Sequence, residues 1–243
     1  MHEGVVSAEI GLTGWPAVAE EAIIARDVLL AEHVGGRLHV QHLSTAGSVE
    51  IIRWAKARGI AVTAEATPHH LLLTDELART YNPVYKVNPP LRTAEDVAAV
   101  RAGLADGTID IVATDHAPHA AEDKDCEWSA AAFGMTGLET ALSVVNQVMV
   151  ADGPFTWADV ARVLSVTPAQ IGRVAEHGRP IAVGEPANLT LIDPAAHTVV
   201  AASAQQTASG NTPFAGRDLP GAVLWTFLRG RATLADGVPQ AQV

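Results

Sequence analysis

The sequence predicts an α/β fold built on a parallel sheet, with a small β-rich unit after it. Three observations carry that expectation. Short apolar strands alternate with full-length helices over the first half of the chain, the pattern of βα units in a parallel sheet. The helices carry start and stop signals. From about Gly178 the texture changes to short β-rich runs cut by Gly and Pro.

The first long helix is read over Pro16 to Gly35. Pro16 suits a first turn, apolar residues recur every three or four, and Gly35-Gly36 stops it. "RLHVQHLS" (Arg37 to Ser44) reads as a strand, and Ser48 to Gly59 as a helix with a Ser start and a Gly stop. "IAVTAEATPHH" is the next strand, ended near Pro68. Thr93 to Gly107 is a Thr-capped helix, and "TIDIVATDHAPH" is the third strand. The two late runs, "RPIAVGEPANLTLIDPAAHTVVAAS" and "LPGAVLWTFLRGRATLADG", read as a small β unit, with a boundary near residue 175.

Composition narrows the function. At 48% hydrophobic and 18% charged, the 243 residues can bury a core. A net charge of −11 argues against a nucleic-acid partner and reads as a solvated surface. The single cysteine, Cys126, rules out an internal disulfide and fits a reducing cytoplasm. The start has no signal-peptide pattern, and no window approaches the length of a membrane span.

Parallel sheets keep their ligands at the carboxyl ends of the strands, and polar residues cluster there. "IVATDHAPH" ends a buried strand in Asp115, His116 and His119. An unpaired carboxylate there is costly to bury, so Asp115 reads as a metal ligand or general base, or else as a turn cap. His42 ends the first strand. By strand alternation it faces opposite to His39, as a ligand or as a hydrogen-bonded core histidine. His69 and His70 follow Pro68, and ligand, substrate contact and plain loop residue all stay open for them. His2, His33, His177 and His197 read as surface residues. In "KVNPPLR" the tandem prolines stiffen the loop that holds Asn88. Its amide suits an amide or imide ligand, although an ordinary Pro-rich connection has the same look. Gly134 and Gly137 precede a helix, where exposed N–H groups could bind a carboxylate or simply form a flexible lead-in. No phosphate-binding Walker loop, GxGxxG or GxSxG occurs.

Six stretches in chain order, "HVQHLST", "TAEATPHHLLLT", "NPPLR", "ATDHAPH", "FGMTGLET" and "NTPFAG", resemble the dihydroorotases of the amidohydrolase superfamily. The resemblance implies a (β/α)8 (TIM) barrel with a small flanking β-sandwich. This chain would hold the last three βα units in residues 1–175 and a β-sandwich portion in 176–243. It implies zinc at the barrel mouth, two ions in a complete site. The reaction implied is the reversible cyclisation of N-carbamoyl-L-aspartate to L-dihydroorotate in pyrimidine biosynthesis. Residue by residue, His42 matches a zinc ligand. Asp115 matches the ligand of the other zinc and the proton carrier. Asn88 and His119 match substrate contacts, and Phe133 with Gly134 a backbone contact to substrate. Ala132 stands where many relatives have Pro.

The family's HxHxR strand, its bridging acid or carboxylated lysine and its fifth-strand histidine have no counterpart here, and "MHEG" resembles an internal family segment. The expectation is a dihydroorotase truncated at its N-terminus. It would have an incomplete ligand set and be inactive alone, and would assemble with a second copy or with an N-terminal half. Its partner would be a small molecule, with no nucleic acid and no membrane. Two other readings stand: a non-catalytic truncated homologue acting as a structural or interaction module, and a hydantoinase-like cyclic amidase.

Overall fold

The computed structural model describes residues 1–241. The chain divides into two compact units, one of residues 1–141 with 201–215 and one of 142–200 with 216–243. The texture change near residue 175 falls inside the second unit, between its helices and its strands.

The first unit opens with a short helix, α1 (Val5–Ile10), then α2 (Ala17–Val34), β1 (Leu38–Val40), α3 (Ala46–Ala57), β2 (Val62–Ala66), α4 (Pro68–Leu72), α5 (Ala94–Asp106), β3 (Ile111–Val112) and α6 (Ala121–Lys124). The helix signals fall within a residue or two of the observed ends. Thr93 caps α5 in a box with Asp96, and Gly35 and Gly107 end α2 and α5 in the left-handed conformation. On α3 the cap is Thr45, whose hydroxyl accepts from Ser48 N.

The three strands pair in the order β1-β2-β3, all parallel. They are shorter than the sequence suggested, because their polar ends leave the ladder and become loops. β2 shows how the sheet sits. Val62, Ala64 and Ala66 are buried on the face toward the helices, and Thr63 and Glu65 occupy the other face. The core lies between helices and sheet, with Val28, Ile52, Ala55, Val100 and Leu104 fully enclosed. A Cβ added at Gly103 would meet Val49 Cγ1 at 2.8 Å, so glycine there permits the close approach of α3 and α5.

Among the described residues, β1 and β3 each have a neighbour on one side only, and α2 has an exposed apolar face. β1 is an edge strand, and all three of its residues are half-buried. The neighbouring α2 exposes Val18, Ile23, Leu29, Leu30 and Val34. No helix among the described residues is long and apolar enough to cross a membrane.

The second unit holds all but the first residue of α7 (Ala141–Val145), which continues with wider turns over Asn146–Ala151, then α8 (Trp157–Ala161) and α9 (Thr167–Gly172). Its strands β4 (Leu189–Val199), β5 (Asp218–Leu228), β6 (Arg231–Ala235) and β7 (Val238–Pro239) form one antiparallel sheet in chain order. Both late runs are therefore β, as one sheet rather than two packed sheets.

Candidate active site

The site is built at the carboxyl ends of β1 and β3, where the chain takes an unusual backbone path. His42 has φ 39° and Asp115 has φ 46°. Residues with a Cβ rarely adopt this conformation without a local reason. Among the described residues four other non-glycine residues share it, and each has such a reason. Tyr81 and Arg173 end helices. Arg229 and Asp236 lead two-residue hairpin loops with Gly230 and Gly237. His42 and Asp115 neither end a helix nor close a hairpin, and strained residues of that kind cluster at functional sites.

This path corrects one sequence-based expectation. The alternation that set His42 opposite His39 holds only inside a strand, and β1 ends at Val40. His39 lies on the same face as Thr63 and Glu65. Its Nδ1 is 2.7 Å from Thr63 Oγ1 and its Nε2 2.9 Å from Glu65 Oε2. The other Glu65 oxygen accepts from His42 N at 3.4 Å. Glu65 is buried, and the sequence reading passed over it. A lone acid in the apolar run "AVTAEAT" was the available signal.

The electrostatics tie these groups together. Burial pushes the Asp115 carboxyl above its usual range, the charge of His42 pulls it back down, and Glu65 pushes it up again. Burial holds His69 well below the ordinary histidine range, and the charges of His70 and His42 add to that. His42 therefore stands within electrostatic reach of Asp115, His69 and His70. Asn88 lines the same hollow as His42, about 360 Å³, with Trp15, Glu20, His39 and Arg92.

His119 is placed elsewhere. It lines a second hollow of about 780 Å³ with Asn82, Lys124, Ser209 and Asn211. Its Nε2 donates to Phe133 O at 2.8 Å, and its backbone N donates to Asn211 Oδ1. The Phe133–Gly134 turn is strapped from below. Gly134 N donates to Lys86 O at 3.0 Å. Lys86 Nζ donates to Ser129 O and Ala131 O and lies 4.5 Å above the Phe133 ring. Lys124 Nζ donates to Lys86 O and Ala132 O. Burial and the charge of Lys86 lower the Lys124 pKa to about 8.

The expectation of free N–H groups at Gly134 and Gly137 is thus corrected, because both are taken. Gly137 N and Leu138 N converge on His116 Nδ1 at 3.2 Å each. His2 is corrected as well. It is buried, its Nδ1 accepting from Arg92 Nη1 at 3.2 Å, and Arg92 also holds Trp15 O and Ser44 Oγ and pairs with Glu20.

Zinc takes nitrogen and oxygen ligands, usually three or four from the protein. His42 and Asp115 have the right chemistry, and His69 Nε2 is a buried nitrogen without a hydrogen-bond partner. Among the described residues, however, no three His, Cys, Asp or Glu side chains gather closely enough to hold a metal ion. The donors fit in kind and fall short in number.

Comparison with known proteins gives the family. Residues 18–233 match the amidohydrolase family. The chain is 70% identical to a dihydroorotase of Streptomyces coelicolor, over 98% of this chain and 55% of that protein. It is 56% identical to a dihydroorotase of Mycobacterium tuberculosis, over 97% and 55%. The chain spans about half the length of the curated relatives it matches. Among solved structures it resembles the L-hydantoinase (dihydropyrimidinase) of Arthrobacter aurescens, with a TM-score of 0.86 and 32% identity over 91% of this chain and 50% of that one. It also resembles the D-hydantoinase of a Thermus species, with a TM-score of 0.83 and 26% identity over 91% and 50%. With more than half its length matched to one family model, this chain belongs to the amidohydrolase family.

Proposed function

We propose that this chain carries one side of a zinc-dependent dihydroorotase site, in residues 1–175 as the last three βα units of a (β/α)8 barrel, with 176–243 as part of a flanking β-sandwich. The observation that carries the reading is the placement of both His42 and Asp115 just past the carboxyl ends of parallel strands, each in a backbone conformation that no turn or cap requires. The 70% identity to a dihydroorotase favours that substrate. Three strands cannot close a barrel that needs eight. The bare edge of β1 and the apolar face of α2 are where further βα units would pack and bring the remaining ligands.

In this reading His42 and Asp115 would hold zinc. When bound, zinc supplies polarisation of the ring carbonyl and acidification of water. Asp115 moves the proton between the attacking water and the ring amide nitrogen. Asn88 orients the substrate amide from the shared hollow. His119, bonded through Nε2 to Phe133 O, and the Phe133–Gly134 turn would contact the substrate from the side of the second hollow.

A hydantoinase-like cyclic amidase is the second reading, favoured by the solved structures the fold matches. Turnover of dihydroorotate against hydantoin decides between them. The chain should be combined with the first half of the Streptomyces coelicolor dihydroorotase and loaded with zinc. Preference for dihydroorotate is expected. Preference for hydantoin would overturn the substrate assignment, and turnover of neither would favour a structural role.

A further inference from the structure

We propose that His70 is a positioning residue: its ring, held in a single tautomer, pins the Pro89–Pro90 backbone and so sets how far Asn88 reaches toward His42. The kinetic part of this inference rests on the reading of Asn88 as a substrate contact. The structural part does not.

The geometry begins with what the prolines lack. Pro89 and Pro90 have no N–H, so this stretch of loop cannot anchor itself by donating. Its carbonyls must be held instead. His70 Nε2 lies 3.1 Å from Pro89 O and 3.3 Å from Pro90 O. A carbonyl only accepts, so Nε2 carries the proton. On the other side of the ring, Nδ1 lies 2.8 Å from Thr67 Oγ1. With Nε2 protonated and the ring neutral, Nδ1 is bare and accepts the Thr67 hydroxyl proton. The same hydroxyl oxygen accepts from His70 N at 3.2 Å as the cap of α4. Every polar atom of the pin has a partner, and the ring is almost wholly buried.

The charges around the ring divide. His42 and Arg92 oppose a proton on it, Glu20 and the Pro89 carbonyl favour one, and burial, the largest influence, lowers its pKa. The far end of the loop is fixed independently, by the bonds of Arg92 to Ser44 Oγ and Trp15 O and by Asp75 N donating to Arg92 O. Before Asn88 the Lys86 carbonyl is held by Gly134 N and Lys124 Nζ, and His70 holds the stretch immediately after it. His69, its neighbour, cannot do the same, because its Nε2 meets no acceptor.

Ring nitrogen shifts of His70, measured on the unmodified chain between about pH 5.5 and 8, should show a protonated Nε2 and a bare Nδ1 throughout. The opposite tautomer, or a doubly protonated ring at the acid end, would overturn the pin. The second arm follows the side-chain amide resonance of Asn88. It should move in His70→Leu and return near its original place in His70→Gln, whose amide nitrogen can reach the same carbonyls. Thr67→Val, which removes the Nδ1 partner and the α4 cap but leaves the Nε2 contacts to the proline carbonyls, should give a smaller displacement and serves if the Leu variant does not fold. An Asn88 resonance unmoved by these changes also refutes the proposal.

In the turnover-competent protein, His70→Leu should raise KM for dihydroorotate about tenfold, the size of one hydrogen bond, with a smaller change in kcat, and His70→Gln should recover most of it. Wild-type protein that opens no dihydroorotate, while the resonances behave as stated, removes the dihydroorotase reading and leaves the pin standing. Normal KM in the Leu variant of an active enzyme removes the pin's role in binding and leaves the dihydroorotase reading intact.

Discussion

The parallel sheet of the first unit and the antiparallel sheet of the second use the same rare backbone conformation to different ends. In the antiparallel sheet, Arg229 and Asp236 turn left-handed where two-residue loops join β5 to β6 and β6 to β7. A glycine follows each, and the strand twist explains the turn. In the parallel sheet, His42 and Asp115 turn left-handed where no hairpin is made. Long strands need tight reversals. Short parallel strands need only to present side chains at their ends. A left-handed residue explained by its turn reports architecture, and one left unexplained reports a site.

The largest effect that sharpens this contrast is catalytic. In the zinc-loaded, completed enzyme, Asp115→Ala should lower kcat/KM by at least the ~10²–10⁴-fold typical of general acid–base work, and by more than Asn88→Ala does. Asp236→Ala, left-handed for architectural reasons, should leave kcat/KM within about twofold, inside the scatter expected of a surface substitution. A nearly active Asp115→Ala would refute the assigned role.

Next is the polar anchor beneath the mouth. Arg92→Met removes the buried partner of Glu20 and the donor to Ser44 and Trp15. Breaking such a pair should cost about 3 kcal/mol in urea unfolding. A loss below about 1 kcal/mol would place the anchor among the weak surface pairs.

A smaller effect probes the backbone directly. In the left-handed region alanine is disfavoured by about 1 kcal/mol, and glycine is not. Asp115→Gly should therefore be more stable than Asp115→Ala by about that amount, and the Asp236 pair should show the same gap. Equal stabilities at residue 115 with a gap at 236 would mean that the mouth is not held as described.

Much of the first unit was legible because its signals are local. Thr93 with Asp96, Pro16 and the glycines at 35 and 107 act within a few residues of where they stand, so the helices could be read directly. The antiparallel unit was legible from its Gly and Pro punctuation. What escaped was set by partners distant in sequence. The burial of His2 depends on Arg92, ninety residues on. The Gly134 and Gly137 amides are consumed by Lys86 and His116. The single antiparallel sheet and the early end of β1 follow from pairing that no window of sequence contains. Asp115 and His42 stood out as residues, but their shared conformation did not, since alternation assumes a strand that had already ended.

The smallest expected effect is on pH dependence. Lys124 has its pKa lowered to about 8 in the folded chain. Between about pH 8 and its ordinary value near 10.5 the unfolded chain holds more protons, so stability should rise with pH across that window. Below it both states are protonated and the slope vanishes. Unfolding midpoints of the wild type and of Lys124→Met across that window should differ in slope, with the variant flatter. Parallel curves would show that the lysine is not held as described.

The central claim is that His42 and Asp115 are one side of a site whose other ligands lie outside these residues. Zinc content by atomic absorption, with a dihydroorotate-opening assay on the chain as given, tests it most directly. Weakly held zinc, lost on dialysis, and no measurable turnover are predicted. Two tightly bound zinc ions per chain with turnover in the ordinary enzyme range, ~1–10³ per second, would contradict it.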